Sequence, residues 1–176
     1  MVTIFSCKTV TKEQSNTYDQ KSGGVCSLYT DTKHHYSLPY PAGLIVTQKQ
    51  AQIIDVPSDL GSTTIALVGG VNIAQTDGFG IIDVSIYKNT KFTSPDDWLA
   101  KENERSSQQK RVLEKGLTIG DIEAIVIHTE SNYEDTKTYY PEKTVVFVRD
   151  NDLFKITTRF AEESDHQKVW DGFTIN

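Results

Sequence analysis

The stretch "KTVVFVRDNDLFKITTRF", residues 143–160, constrains this chain more tightly than any other. Two strand-like runs, 144–149 and 153–160, flank Asp150-Asn151-Asp152. Alternation with a period of two marks a half-buried strand. Asn and Asp tolerate the left-handed backbone angles that a tight turn demands, so the stretch predicts a β-hairpin. Phe154, Ile156, Thr158 and Phe160 fall on one face, and Lys155, Thr157 and Arg159 share the other with Leu153.

The rest of the chain reads in the same way. "HYSLPYP" puts Tyr36, Leu38 and Tyr40 on one side, with Pro39 between them. Proline has no N–H for a ladder, so Pro39 and Pro41 predict an edge strand that turns into a loop and resists further pairing. Short strands follow at 44–46, 51–56 and 63–68, punctuated by Pro57, Gly61 and Gly69-Gly70. "GFGIIDVSIYKN" is a longer strand whose Ile82, Val84 and Ile86 face the core. "RVLEKGLTIG" and "IEAIVIHTE" pair around Gly120-Asp121. "VGGVN" and "DGFGI" are read as turns, because neither has the spacing of a phosphate-binding loop.

The period changes at "SPDDWLAKENERSSQQK". Ser94 is a helix N-cap, Pro95 suits the first turn, and Asp96 and Asp97 sit at the positive end of the helix dipole. Trp98 and Leu99 supply its buried face. "SDHQKVWDGFTI" is a second, shorter helix: Ser164 caps it, Val169, Trp170 and Phe173 pack, and Gly172 stops it. Many antiparallel strands with two amphipathic helices predict the α+β class, an antiparallel β-sheet with helices packed on its faces.

A chain of 176 residues suits one domain, since domains run to about 100–200 residues. Residues 8–24, "KTVTKEQSNTYDQKSGG", are too polar to bury an apolar face. The expected organisation is a flexible N-terminal arm or tether over 1–24 and a single domain over 25–176. A net charge of −6 repels polyanions, and no basic run interleaved with aromatics offers nucleic acid a landing site. No apolar stretch reaches the roughly 18–20 residues of a spanning helix. Ile4-Phe5-Ser6-Cys7 looks like the end of a bacterial lipoprotein signal, but only six residues precede Cys7, too few for such a signal to operate, and the segment is read as an ordinary short strand.

In order, the chain offers "YSLPYPAGLIV", a capped "SPDDWL" helix, the "VVFVRDNDLFKITTRF" hairpin, and a short helix ending in "VWDGFTI". This order resembles the PsbP-like domains, the extrinsic PsbP protein of photosystems and related small bacterial lipoproteins. The resemblance covers residues 28–176 and rests on structural positions, so no functional residue carries over. It implies an α/β/α sandwich in a secreted or membrane-anchored domain. Photosynthetic members act as assembly or stabilising subunits around metal centres.

The search for chemistry yields few candidates. His34 and His35 are adjacent, point to opposite faces of a strand, and are read as a solvated pair at a strand start. His128 and Glu130 share a strand face, which makes them a metal candidate, but zinc needs three or four ligands. Cys26 with His34 or His128 is a thiol–imidazole combination, though no base is fixed nearby in the sequence. Asp150-Asn151-Asp152 supplies too few oxygen ligands for calcium. Cys7 and Cys26 are candidates for a disulfide in an oxidising compartment. Tyr133, Tyr139 and Tyr140 lie among charges in "ESNYEDTKTYYPEK" and form the candidate binding surface, because tyrosine joins an apolar body to a polar tip. No catalytic residue and no cofactor are expected. The primary reading is a non-enzymatic extracytoplasmic binding or assembly domain. Its partner is a protein or cell-envelope component, no nucleic acid is expected, and membrane association is expected only through a lipid anchor or tether absent from this chain. The alternatives are a small hydrolase or ligand-processing enzyme with a site in the sheet concavity, and an acidic immunity or inhibitor protein.

Overall fold

The computed structural model describes residues 26–56, 63–88, 92–105, 111–129, 142–160 and 163–176. β1 (Cys26–Asp31) and β2 (Tyr36–Pro41) form a hairpin, followed by β3 (Ile45–Gln48) and β4 (Gln52–Val56). The long β5 (Thr63–Ala74) turns into β6 (Gly80–Lys88), and α1 (Pro95–Arg105) leads to β7 (Arg111–Ile119) and β8 (Ile122–Thr129). β9 (Glu142–Arg149) and β10 (Asp152–Arg159) make the hairpin expected from the sequence, and α2 (Glu163–Asp171) runs into β11 (Thr174–Ile175).

The strands form two antiparallel sheets among the described residues. The larger has the order β3-β5-β6-β10-β9-β8-β7, with β4 sharing the outer edge of β5 with β3, and the smaller has the order β1-β2-β11. Hairpin register places Arg149 opposite Asp152, so Asp150-Asn151 is the turn and Asp152 opens β10. Asp150 takes the left-handed φ of 53° that the turn requires.

Period-two alternation divides the larger sheet into two apolar faces. Ala124, Val126, Val145, Phe147, Phe154 and Ile156 join Val71, Ile73, Ile82, Val84 and Ile86 in the main core. Ile125, Ile127, Val146 and Leu153 point the other way and pack under Trp98 and Leu99 of α1. α1 begins as its sequence dictates: Ser94 Oγ accepts the Asp97 N–H at 3.2 Å, and Asp96 and Asp97 occupy the first turn.

The main core is closed from above by β1, β2 and α2. Tyr36 and Leu38 are fully buried, and Val169, Trp170 and Phe173 join them. Phe147 and Phe154 stack at 4.8 Å, Phe173 meets Phe147 edge-on at 5.9 Å, and Tyr36 stacks on Phe173 at 5.3 Å. His166 of α2 lies fully buried beneath this layer. Its Nε2–H donates to Phe160 O at 3.1 Å, which leaves Nδ1 to accept from the Thr158 hydroxyl at 2.7 Å.

Several expectations change. The helical layers are thin, since much of one face is covered by a second sheet. β2 is no edge strand: it pairs with β1 along its whole length and with β11 at Tyr36 and Ser37. Its prolines fall where β11 has ended and α2 takes over. There Gly172 lies so close to Pro39 that a Cβ would stand 2.4 Å from its Cγ. Gly172 thus serves close packing as well as the helix stop, where its N–H bonds Lys168 O at 3.2 Å. Ser164 falls inside α2, one residue after its start at Glu163, so it is not the cap. Gly69-Gly70 is not a turn, because β5 continues through it.

Trp170 is 4% exposed and anchors α2 to this core. Trp170→Ala is expected to lower unfolding stability by roughly 3–5 kcal/mol, as large-to-small changes in cores do. Urea melts check this, and a loss below about 1 kcal/mol would mean that α2 does not depend on the contact.

Candidate functional site

Two knots of bonded polar side chains adjoin one irregularity of the described structure, the bulge in β5. Register between β5 and β6 shifts between Leu67 and Gly69. On the outer edge of β5, β4 pairs with residues 63–67 and β3 with residues 71–74, so neither strand reaches 68–70. Buried main-chain groups need partners wherever they occur. Here the Lys49 N–H donates to Gly70 O at 2.9 Å and the Lys33 ammonium donates to Val68 O at 3.1 Å. Bulges re-aim side chains and recur beside functional sites.

The glycines are dictated by what approaches them. A Cβ on Gly69 would stand 2.2 Å from His34 Cε1, so the imidazole lies directly on the backbone. Gly70 has φ +135°, and a Cβ there would stand 2.1 Å from Val84 O. His34 is held in place by Asp31: their side chains meet at 3.0 Å with 9% and 10% exposure. Asp31 Oδ1 also accepts the N–H groups of Lys33 and His34, each at 2.9 Å. Burial pushes the Asp31 carboxyl up, but the bonds from His34 and Lys33 outweigh it and hold the group below the ordinary carboxylate range. His34 is therefore a packed, bonded residue and not half of a solvated pair. His35 beside it is exposed, with φ 55°.

On the opposite face of the sheet the same bulge adjoins a second knot. Directly opposed residues share a face, and Asn72 opposes Asp83 while Gly70 opposes Ser85. Lys49, whose main chain serves the bulge, reaches across so that its Nζ donates to Asp83 Oδ1 and Ser85 Oγ, both at 2.6 Å. Asn72 donates to Asp83 Oδ2 at 3.1 Å, and Ser85 donates to Asp83 Oδ1 at 3.0 Å. Burial raises the Asp83 carboxyl, yet Lys49, Asn72 and Ser85 together bring it below its ordinary value. Further along the face lie the Thr144–Thr157 hydroxyl pair at 2.9 Å and the Arg159–Glu142 ion pair at 2.7 Å.

Chemically, Ser85 and Lys49 look like a nucleophile and its base. A base must have a lone pair to take the proton. As an ammonium bonded to Asp83, Lys49 donates to Ser85 and has none to offer. Ser85 is only 6% exposed, and its own proton already goes to Asp83. The knot is a self-satisfied framework.

The candidates from the sequence are scattered. Cys26 opens β1, at the opposite end from Asp31 and His34. A six-residue strand separates its ends by about 16 Å at roughly 3.3 Å per residue, which excludes a thiol–imidazole pair with His34. His128 lies in β8 opposite Val112 and Lys143. Glu130, Tyr133, Tyr139, Tyr140 and Cys7 lie outside the described residues. Among the described residues no group of three or more His, Cys, Asp and Glu side chains gathers as a metal site, and no helix is long and apolar enough to cross a membrane. Asp31, Lys49 and Asn72 escaped the sequence reading. The available signal was "GIIDVSIYK", where Asp83 and Ser85 place two polar groups on one face of an otherwise apolar strand.

No family model and no curated protein sequence matches this chain. Its fold is similar to the solution structure of cyanobacterial PsbP (CyanoP) from Synechocystis sp. PCC 6803, with a TM-score of 0.52 and 16% identity, covering 92% of this chain and 98% of that one. The chain thus has a PsbP-like fold.

Two outcomes test the junction. Gly69→Ala is expected to cost about 1–3 kcal/mol, as overpacking does. In a His34→Ala background the same change should cost almost nothing, and equal costs in the two backgrounds would deny the contact. Asp83→Asn should destabilise the protein at pH 7, because it leaves the Lys49 ammonium without its counter-charge. A carboxyl depressed in the folded state contributes stability above its unfolded value of about 3.9, and this is lost as pH falls through the lower folded value. The gap between wild type and variant, read from urea melts, should close below about pH 4 and not above it.

Proposed function

We propose that this protein is a non-enzymatic PsbP-like binding or assembly domain that works outside the cytoplasm, held near a membrane or cell surface through its N-terminal arm. The fold likeness to cyanobacterial PsbP, which extends over nearly the whole of both chains, carries this reading. The self-satisfied polar knots agree with it, since they rigidify a scaffold instead of awaiting a substrate. Residues 1–24 act as the tether, and a Cys7–Cys26 disulfide fastens it to the start of β1 in an oxidising compartment. The contact surface is the connection between β8 and β9, where Tyr133, Tyr139 and Tyr140 supply the anchors. Its partner is a protein or a component of the cell envelope.

The test is topological first. In intact source cells, a C-terminally tagged copy of the full-length gene product should be digested by protease added outside the plasma membrane. Full protection of the tag would refute the location. Replacing Tyr133, Tyr139 and Tyr140 by Ser should then weaken retention of the tagged domain on purified envelopes by on the order of tenfold or more, as loss of tyrosine anchors does. The melting temperature should stay the same, and unchanged retention would move the contact elsewhere on the surface.

A further inference from the structure

β1 is the outer strand of the smaller sheet, and no described strand lies beyond it. The prolines of β2 decide which main-chain groups β1 leaves open. Pro39 and Pro41 oppose Leu28 and Cys26 and have no N–H to give, so the bonded pairs are Ser27–Tyr40, Tyr29–Leu38 and Asp31–Tyr36. The far side of β2 agrees. Asn176 N–H reaches His35 O at 2.8 Å, so Ser37, two residues on, turns its main-chain groups toward β11 and away from β1. Cys26, Leu28 and Thr30 therefore direct their N–H and C=O groups outward, and an edge of this kind is a template for another strand. Their side chains lie on the outer face as well: Tyr29 and Asp31 are buried, whereas Thr30 is exposed and Leu28 is 38% exposed.

Cys26 opens this edge and is disulfide-bonded, and Cys7 is the chain's other cysteine. Directly opposed residues of an antiparallel pair have Cα atoms about 4.5–5.5 Å apart, inside the range of about 4.4–6.8 Å that a disulfide spans. With Cys7 opposite Cys26, the rest of the register is fixed: Phe5 opposes Leu28, Ile4 opposes Tyr29 and Thr3 opposes Thr30. Thr3, Ile4 and Phe5 are all residues that favour strands. Each meets a suitable partner, since Phe5 covers the exposed leucine, the threonines pair, and Ile4 lies on the core side with Tyr29. A parallel strand would instead set Thr9 beside Leu28 and leave it without an apolar neighbour.

We propose that residues 2–7 form a further strand, antiparallel to β1, which closes the open edge of the smaller sheet. The inference rests on the Cys7–Cys26 disulfide proposed above and says where the fastened part of the arm lies. NMR of the whole oxidised chain tests it. A close Hα–Hα contact between Ile4 and Tyr29 is expected, with slow amide exchange at Leu28 and Thr30. Phe5→Pro keeps the disulfide but removes the N–H that reaches Leu28 O. Leu28 and Thr30 should then exchange at least about tenfold faster, while Tyr29, bonded to β2, should not change. Free exchange of Leu28 and Thr30 in the intact, disulfide-bonded chain would overturn the inference and leave the disulfide standing. Protection that survives Phe5→Pro would also overturn it, since another strand, such as β1 of a second copy, would then cover the edge. A peptide map with Cys7 and Cys26 as free thiols would refute the disulfide and the inference with it.

Discussion

The contact between Tyr36 and Phe173 is the one on which the architecture depends. Strands of six, six and two residues make a sheet too small to stand alone. The β1-β2-β11 sheet persists because Tyr36 and Leu38 are driven into the main core, where Tyr36 stacks on Phe173 and Phe173 leans on Phe147. Aromatic pairs of this kind contribute about 0.5–1.5 kcal/mol beyond the area they bury. The same contact closes the chain on itself, since Phe173 lies directly between α2 and β11. The hydrogen bonds around it follow from that closure. Asn176 N–H reaches His35 O at 2.8 Å, and Arg149 from the β9–β10 hairpin donates to the same carbonyl at 3.2 Å.

With the small sheet fixed there, its β1–β2 turn has to come to rest on the larger sheet, and the β5 bulge receives it. Only glycine leaves room for the His34 ring at position 69, and only glycine accepts the backbone conformation at 70 at little cost. The bulge also interrupts the outer edge of β5, and Lys33 and Lys49 cap the carbonyls left there. One local irregularity thus organises polar groups on both faces of the sheet: Asp31 and His34 on the core side, Lys49, Asn72, Asp83 and Ser85 on the other.

What could be read from the sequence was local. Asp150-Asn151, the alternation of β10, and the Ser94 cap of α1 are each decided within a few residues, and they match the structure. The errors at Pro39, Pro41 and Gly69-Gly70 share a cause in long-range contact. Pro39 and Pro41 rightly signalled that β2 could not be paired on both sides throughout, but the sequence gives no sign that a two-residue β11 and α2 divide that second side between them. Gly69-Gly70 reads as a turn, because glycine pairs normally are turns. Its real role needs His34, 35 positions earlier. The site suffered most. Lys49 and Asp83 lie far apart in sequence, and neither has a motif, so only the registers of β3 on β5 and of β5 on β6 together reveal that they meet.

That register also bears on what kind of activity the fold can support. Catalysis by buried polar groups needs a group left under-bonded in the resting state, ready to take a proton or a developing charge. Around the bulge the reverse holds. Asp31 has three bonds, Asp83 has bonds from three side chains, and both carboxyls are held below their ordinary range. A carboxylate stabilised as an anion is a poor base, and an ammonium committed to it is a poor proton acceptor. What such groups do well is fix geometry: they set the docking of one sheet on the other and the path of the strands at the open edge. Buried polarity spent in this way holds the β1–β2 turn and the edge of β5 in one arrangement around the bulge.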